Sequence, residues 1–189
     1  MTTFPPYIHI SPVKWDLRYP EYEMEHSVNG IQVYSMDSSP HQIAYVELVF
    51  ENGRLAESKK LTSRMCANQL LEGSSEQTRA EIAEFFDYYG CSYQVHSDLD
   101  FTIIALNTLD KHFERVFAYL IRQITKASFT SENLQKGKKS LLSQLEHQLA
   151  EPDFVSYREF SSSIYGSEST YGYNSSEELI NNILPQDLQ

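Results

Sequence analysis

The 189-residue sequence has no long apolar run, no cysteine pair and no surplus of positive charge. Without a stretch of some 20 apolar residues, no segment reads as a membrane-spanning helix. The opening MTTFPPYIHI has neither a basic segment nor an extended apolar core, so it does not read as a signal peptide, and a cytoplasmic protein is expected. The two cysteines, Cys66 and Cys91, lie far apart and in no C-x-x-C pair, which argues against a structural zinc site and for free thiols. The net charge of -11 leaves no basic surface to displace counterions from nucleic acid or to bind an anionic membrane. Its ordinary meaning is solubility.

Familiar reaction centres are missing too. There is no G-x-x-x-x-G-K-[ST] phosphate loop and no G-x-S-x-G elbow. The six histidines, His9, His26, His41, His96, His112 and His147, include no pair at the i, i+3 or i, i+4 spacing that would set two imidazoles on one helix face. Each reads as a surface or turn histidine. Asp98 and Asp100 read as turn residues, and the serine run Ser161–Ser163 as a solvated or lightly packed helix face.

What is present is an orderly alternation of strand and helix signals. Residues 1–22 hold Pro5, Pro6, Pro12 and Pro20 and read as an extended arm, with Trp15 and Leu17 available to pack it down. Residues 23–189 read as one domain. Asn29-Gly30 marks a hairpin turn inside a strand-like stretch from Met24 to Met36, which Ser38, Ser39 and Pro40 close. From His41 to Phe50, Ala44, Val46, Leu48 and Phe50 form an apolar face opposite a mixed one, as in a sheet covered on one side. Two further strands are expected, Cys91–Val95 and Phe101–Leu109, joined by a turn over Ser97–Asp100. Helices are expected from about Lys111 to Ala127, from Ser131 to near Pro152, from Phe154 to Tyr165 and from Glu177 to Leu184. In the second of these Gly137 lowers stability by roughly 1 kcal/mol relative to alanine, for no reason visible in the sequence. The fold class is α+β, a mainly antiparallel sheet with helices packed on one face.

The stretch Leu61–Gly90 organises the rest. Leu61, Met65, Cys66, Leu70 and Leu71 recur at helical spacing as one apolar face; Gly73 is expected to end that helix in a left-handed cap. Ser74 or Ser75 is expected to cap a second helix with Ile82, Phe85 and Phe86 on its buried side, closing at Gly90. The order of helix, capped turn, helix ending in Tyr-Gly and two strands resembles the insulinase/pitrilysin zinc peptidases, which include mitochondrial processing peptidase. "NGIQVY" and "VELVFENGRLAES" resemble the family's first two strands, and the resemblance covers about Glu23 to Gln189.

The family carries an inverted H-x-x-E-H motif on the first helix: two zinc-binding histidines and a glutamate that works on the zinc-bound water. Aligned on Leu70, Leu71, Glu72 and Gly73, the five positions here read Arg64, Met65, Cys66, Ala67 and Asn68. The third ligand, a glutamate on a later helix, falls on Gln144, seven residues after Gly137. The family's "fGxxHPYG" segment reads Tyr165 to Gly172, with Ser169 and Thr170 for histidine and proline. The resemblance thus implies degenerate ligand positions Arg64, Asn68 and Gln144, a degenerate base position Ala67, no catalytic residue and no bound cofactor, although catalytic members hold zinc. It implies a non-catalytic, processing-peptidase-like pseudopeptidase subunit or domain, which binds peptide beside a zinc-bearing family partner in a heterodimer. The alternatives are an active zinc metalloendopeptidase with a relocated site, or a purely structural assembly subunit. Because the family's domain has further strands, the domain is expected to be incomplete at its C-terminal end.

Overall fold

A computed structural model of the chain describes residues 20–27, 29–37 and 42–189. The expectations for the proline-rich arm, for His9 and His41 and for the strand end at Ser38–Pro40 lie outside them. The chain divides into two compact units, residues 1–41 and 42–189. In the first, β1 (Glu23–His26) pairs antiparallel with β2 (Gln32–Ser35), Glu23 opposite Ser35 and His26 opposite Gln32. Gly30 sits in the turn at φ +78°, as the Asn-Gly signal requires.

The second unit is built on an antiparallel sheet in the order β3-β5-β4, formed by β3 (Ile43–Phe50), β4 (Ser92–Ser97) and β5 (Thr102–Leu109). Register sets Val46 beside Leu106 and Leu48 beside Ile104, and continues the row to Tyr93 and Val95. This apolar face packs with Ile82, Phe85 and Phe86 of α2 (Arg79–Tyr88) and Val116 and Leu120 of α3 (Phe113–Thr125). Across β3 the opposite face, Ile43, Tyr45, Glu47 and Val49, is exposed. The period-2 pattern therefore marks a sheet covered on one side.

A second core lies among α1 (Thr62–Gln69), α4 (Ser131–Leu149) and α6 (Glu177–Asn181), with α5 (Pro152–Tyr165) against α4. It gathers Leu61, Met65, Leu134, Leu141, Leu145, Tyr173, Ile180, Ile183 and Leu188. The two cores correct the expectation of one apolar face from Leu61 to Leu71. The helix ends at Gln69 with Leu70 as its C-cap, still in right-handed helical conformation, and Leu70 and Leu71 join the sheet core, while Leu61, Met65 and Cys66 serve the second. Gly73 is not a left-handed cap; at φ +156° it forms a bridge with Thr78.

The start of α2 is corrected as well. Its N-cap is Thr78, in a capping box with Glu81: the Thr78 hydroxyl accepts from the Glu81 N–H, and the Glu81 carboxylate accepts from the Thr78 N–H at 2.7 Å. Ser74 instead turns the preceding loop, its Oγ accepting from the N–H groups of Glu76 and Gln77. Thr130 caps α4 and Ser176 caps α6. Asp98 is a turn residue as expected, its Oδ1 accepting from the N–H groups of Asp100 and Phe101.

Helix α5 departs in part from a solvated serine face, although Phe154 packs on the second core and Ser163 is exposed. Tyr157, Phe160 and Ile164 are exposed, and Ser161 is buried. Ser162 is half-buried because a loop lies against it, its Oγ donating to the Gly172 carbonyl at 3.0 Å and accepting from Asn174 Nδ2 at 2.8 Å, while Ser163 stays exposed. A Cβ at Gly172 would overlap the Gly166 carbonyl, so this loop closes only with glycine there.

Gly137 finds its reason at the crossing of α4 and α1. A Cβ at 137 would collide with the side-chain amide of buried Gln69 and touch Met65. Helix propensity alone favours Gly137→Ala by about 1 kcal/mol. Overpacking against Gln69 is expected to reverse this to a net loss of about 1–3 kcal/mol. The loss should shrink when Gln69→Ala is added, because that removes the obstructing group together with a buried Oε1 that has no hydrogen-bond partner. Denaturant unfolding of the two single variants and the double variant measures the coupling; strictly additive changes would refute the close-approach explanation.

Candidate functional site

The positions that the resemblance assigns to metal chemistry sit on α1 and α4, and α1 is held by an unusual entry. Leu61, just before the helix, has φ +71°, a left-handed conformation that costs a non-glycine residue of order 1–2 kcal/mol. The strain is offset by a cage around its N–H. Glu57 Oε2 accepts from Leu61 N–H at 3.1 Å, and Glu57 Oε1 from Ser63 N–H at 3.0 Å. The hydroxyl of buried Tyr173 also accepts from Leu61 N–H, and itself donates to Glu57 Oε2 at 2.6 Å. Burial first, and the Glu57 carboxylate second, push the Tyr173 phenol up to about 12. Arg54 covers the Tyr173 ring at 3.6 Å and donates to the Tyr173 carbonyl. A carboxylate at a helix start is favoured by the helix dipole, so Glu57 both caps α1 and pins its rotation.

That rotation turns Arg64 toward α4. Its Nη2 donates to Gln144 Oε1 at 3.3 Å and its Nη1 to Ser175 Oγ at 3.5 Å. Two positions 80 residues apart in sequence thus meet across a helix pair. Arg64 is half-buried and Gln144 exposed. Desolvation lowers the Arg64 pKa, partly opposed by Tyr173. Ala67 is buried and offers no polar atom; Asn68, one turn beyond Arg64, is exposed. Arg158 of α5 approaches Ser175 from the other side, its Nη2 donating to the Ser175 carbonyl at 2.9 Å. Ser175 therefore faces the arginines, and it is Ser176 that caps α6. Arg158, Ser175 and Tyr173 carry no motif, so sequence reasoning missed them; contacts between isolated residues have no periodic signature.

These residues do not fit zinc. A tetrahedral zinc site needs three protein donors such as imidazole or carboxylate. Here a guanidinium has no lone pair to give, two amides are weak ligands, and alanine cannot act on water. Among the described residues no group of three His, Cys, Asp or Glu side chains is placed to hold a metal ion. Cys66 does not supply a reactive thiol either, since burial pushes its pKa up. Among the described helices none is long and apolar enough to cross a membrane.

The sheet, the helix pair and the α1–α4 crossing are those of a metallopeptidase-type domain. The family profile described as Insulinase (Peptidase family M16) matches residues 32–171, most of the chain, and the chain belongs to this family. A curated relative, an "Uncharacterized zinc protease" of Rickettsia felis (strain ATCC VR-1525 / URRWXCal2), is 23% identical over 139 residues, 72% of this chain. The chain spans only 34% of that relative's length. The fold is shared with a peptidase M16 inactive domain from Pseudomonas fluorescens (TM-score 0.78, 19% identity, 88% of this chain, 42% of that one). It is also shared with a protease from Helicobacter pylori (TM-score 0.79, 14% identity, 90% of this chain, 42% of that one).

Proposed function

We propose that the chain is a non-catalytic insulinase-family subunit or domain that binds peptide beside a zinc-bearing family partner. The observation that carries this reading is the Arg64–Gln144 contact. The two helices that would supply metal ligands still meet, and the residues they bring together cannot ligate a dication. The P. fluorescens relative of the same fold, described as an inactive domain, is in keeping with it. For a peptide, the sheet offers β4, which ends the β3-β5-β4 order on one side and lies beside α1. Ser92, Gln94 and His96 alternate along it as exposed residues. An extended peptide could add to such an edge through backbone hydrogen bonds.

The test is to add the full-length chain to a purified zinc-bearing relative from the same genome and to follow peptide cleavage. A complex with altered cleavage rate or substrate choice is the expected result. No complex and no change in rate would remove the subunit reading. Cleavage by this chain alone, stopped by a chelator, would favour an enzyme with a relocated site.

A further inference from the structure

Among the described residues Arg64 is a half-buried cation without an anion. Its two hydrogen bonds, at 3.3 and 3.5 Å, go to a neutral amide and a hydroxyl. Arg158, sharing Ser175 with it, donates to a carbonyl and lies 5.5 Å from the Phe154 ring centroid. Among the described residues six Lys and Arg side chains meet a carboxylate, and neither Arg64 nor Arg158 is among them, nor are Arg54, Lys111, Arg115, Lys138 and Lys139; what sets Arg64 and Arg158 apart is that both turn to the same residue, Ser175. Two guanidinium groups without a carboxylate thus converge on one residue, in a chain with 26 acidic and 15 basic residues. A partly desolvated charge without a counter-charge is a standing electrostatic cost. The side chains around it have the matching chemistry. Asn68 lies four residues on, on the same face of α1, and Gln144 faces it from α4; both carry amide N–H donors, and Ser175 has a rotatable hydroxyl.

We propose that Arg64, backed by Arg158 and flanked by Asn68, Gln144 and Ser175, receives a carboxylate of a bound peptide. The proposal rests on the peptide-binding reading above and gives that site its ligand chemistry. A planar guanidinium matches a carboxylate in a bidentate pair, and partial desolvation strengthens the pairing. The carboxylate comes either from the peptide's C-terminus or from an aspartate or glutamate side chain.

Fluorescence anisotropy with the full chain separates these sources. A short, labelled, uncharged peptide is compared in three forms: free C-terminal acid, C-terminal amide, and amide with one internal glutamate. At least one carboxylate-bearing form is expected to bind about tenfold more tightly than the neutral amide, and added salt should erode the difference. Arg64→Gln should abolish the discrimination. Asn68→Asp changes an exposed residue and places a competing carboxylate one turn from Arg64, so it should abolish it too without risk to folding. Equal binding of all three forms, or discrimination that survives Asn68→Asp and a folded Arg64→Gln variant, would overturn the carboxylate site and leave peptide binding standing. Absence of binding by every form would overturn both.

Discussion

Phe86→Ala is expected to destabilise the protein by about 3–5 kcal/mol. Phe86 is 2% exposed and stands where α2, the sheet and α3 meet. Its ring lies edge-on to Phe85 at 5.9 Å and to Tyr119 at 5.7 Å, and tilted against Tyr93 at 4.6 Å. Truncation therefore removes a large buried area and several aromatic contacts at once, and close-packed neighbours on three elements can collapse only partly into the void. Leu71→Ala, in the same core, should follow at about 2–5 kcal/mol. Phe160→Ala is the control: Phe160 is 62% exposed on α5 and should change stability by no more than about 0.5 kcal/mol. Denaturant midpoints with unchanged slope measure all three. If Phe86→Ala behaved like Phe160→Ala, the placement of the helix pair on the sheet would be wrong.

The second large effect concerns metal. The wild-type chain is expected to hold no stoichiometric zinc, because a dication placed between α1 and α4 would face the fixed positive charge of Arg64. Replacing the three ligand positions together, Arg64→His, Asn68→His and Gln144→Glu, is expected to create a site holding about one zinc per chain. The scaffold for it exists: positions 64 and 68 share a helix face, and side chains at 64 and 144 already touch. Ala67→Glu would then add the base position. Metal analysis after dialysis, with a thermal melt showing that the variant folds, decides the matter. One tightly held zinc in the wild-type chain would overturn the reading of these positions, and a folded triple variant that takes up none would count against their alignment.

Elements whose pattern is local were legible in advance. The alternation in β3 and β5, the apolar stripe of α3 and the Asn-Gly turn each follow from a few consecutive residues meeting one buried face. Errors arose where a nearby segment replaced solvent. Helix α1 stops at Gln69 although its leucines continue, because Leu70 and Leu71 are drawn into a different core. Thr78 rather than a serine caps α2, because the loop before it is occupied by Ser74's own turn. Ser162 of α5 is drawn from solvent because the loop after Gly166 packs on it.

The candidate site divides in the same way. The sequence by itself determined which atoms are available: a guanidinium, two amides and a methyl where imidazoles and carboxylates would be needed for zinc. It also determined the α+β class, through periodicities that depend only on which side of each element is apolar. Only the tertiary structure decided that Arg64 reaches Gln144, that Tyr173 and Glu57 hold Leu61 in its left-handed turn, and that Gly137 is the gap into which Gln69 fits. Each of these joins residues far apart in the chain. Such a contact depends on how helices cross, and crossing is set by the packing of whole faces rather than by any residue's neighbours in sequence.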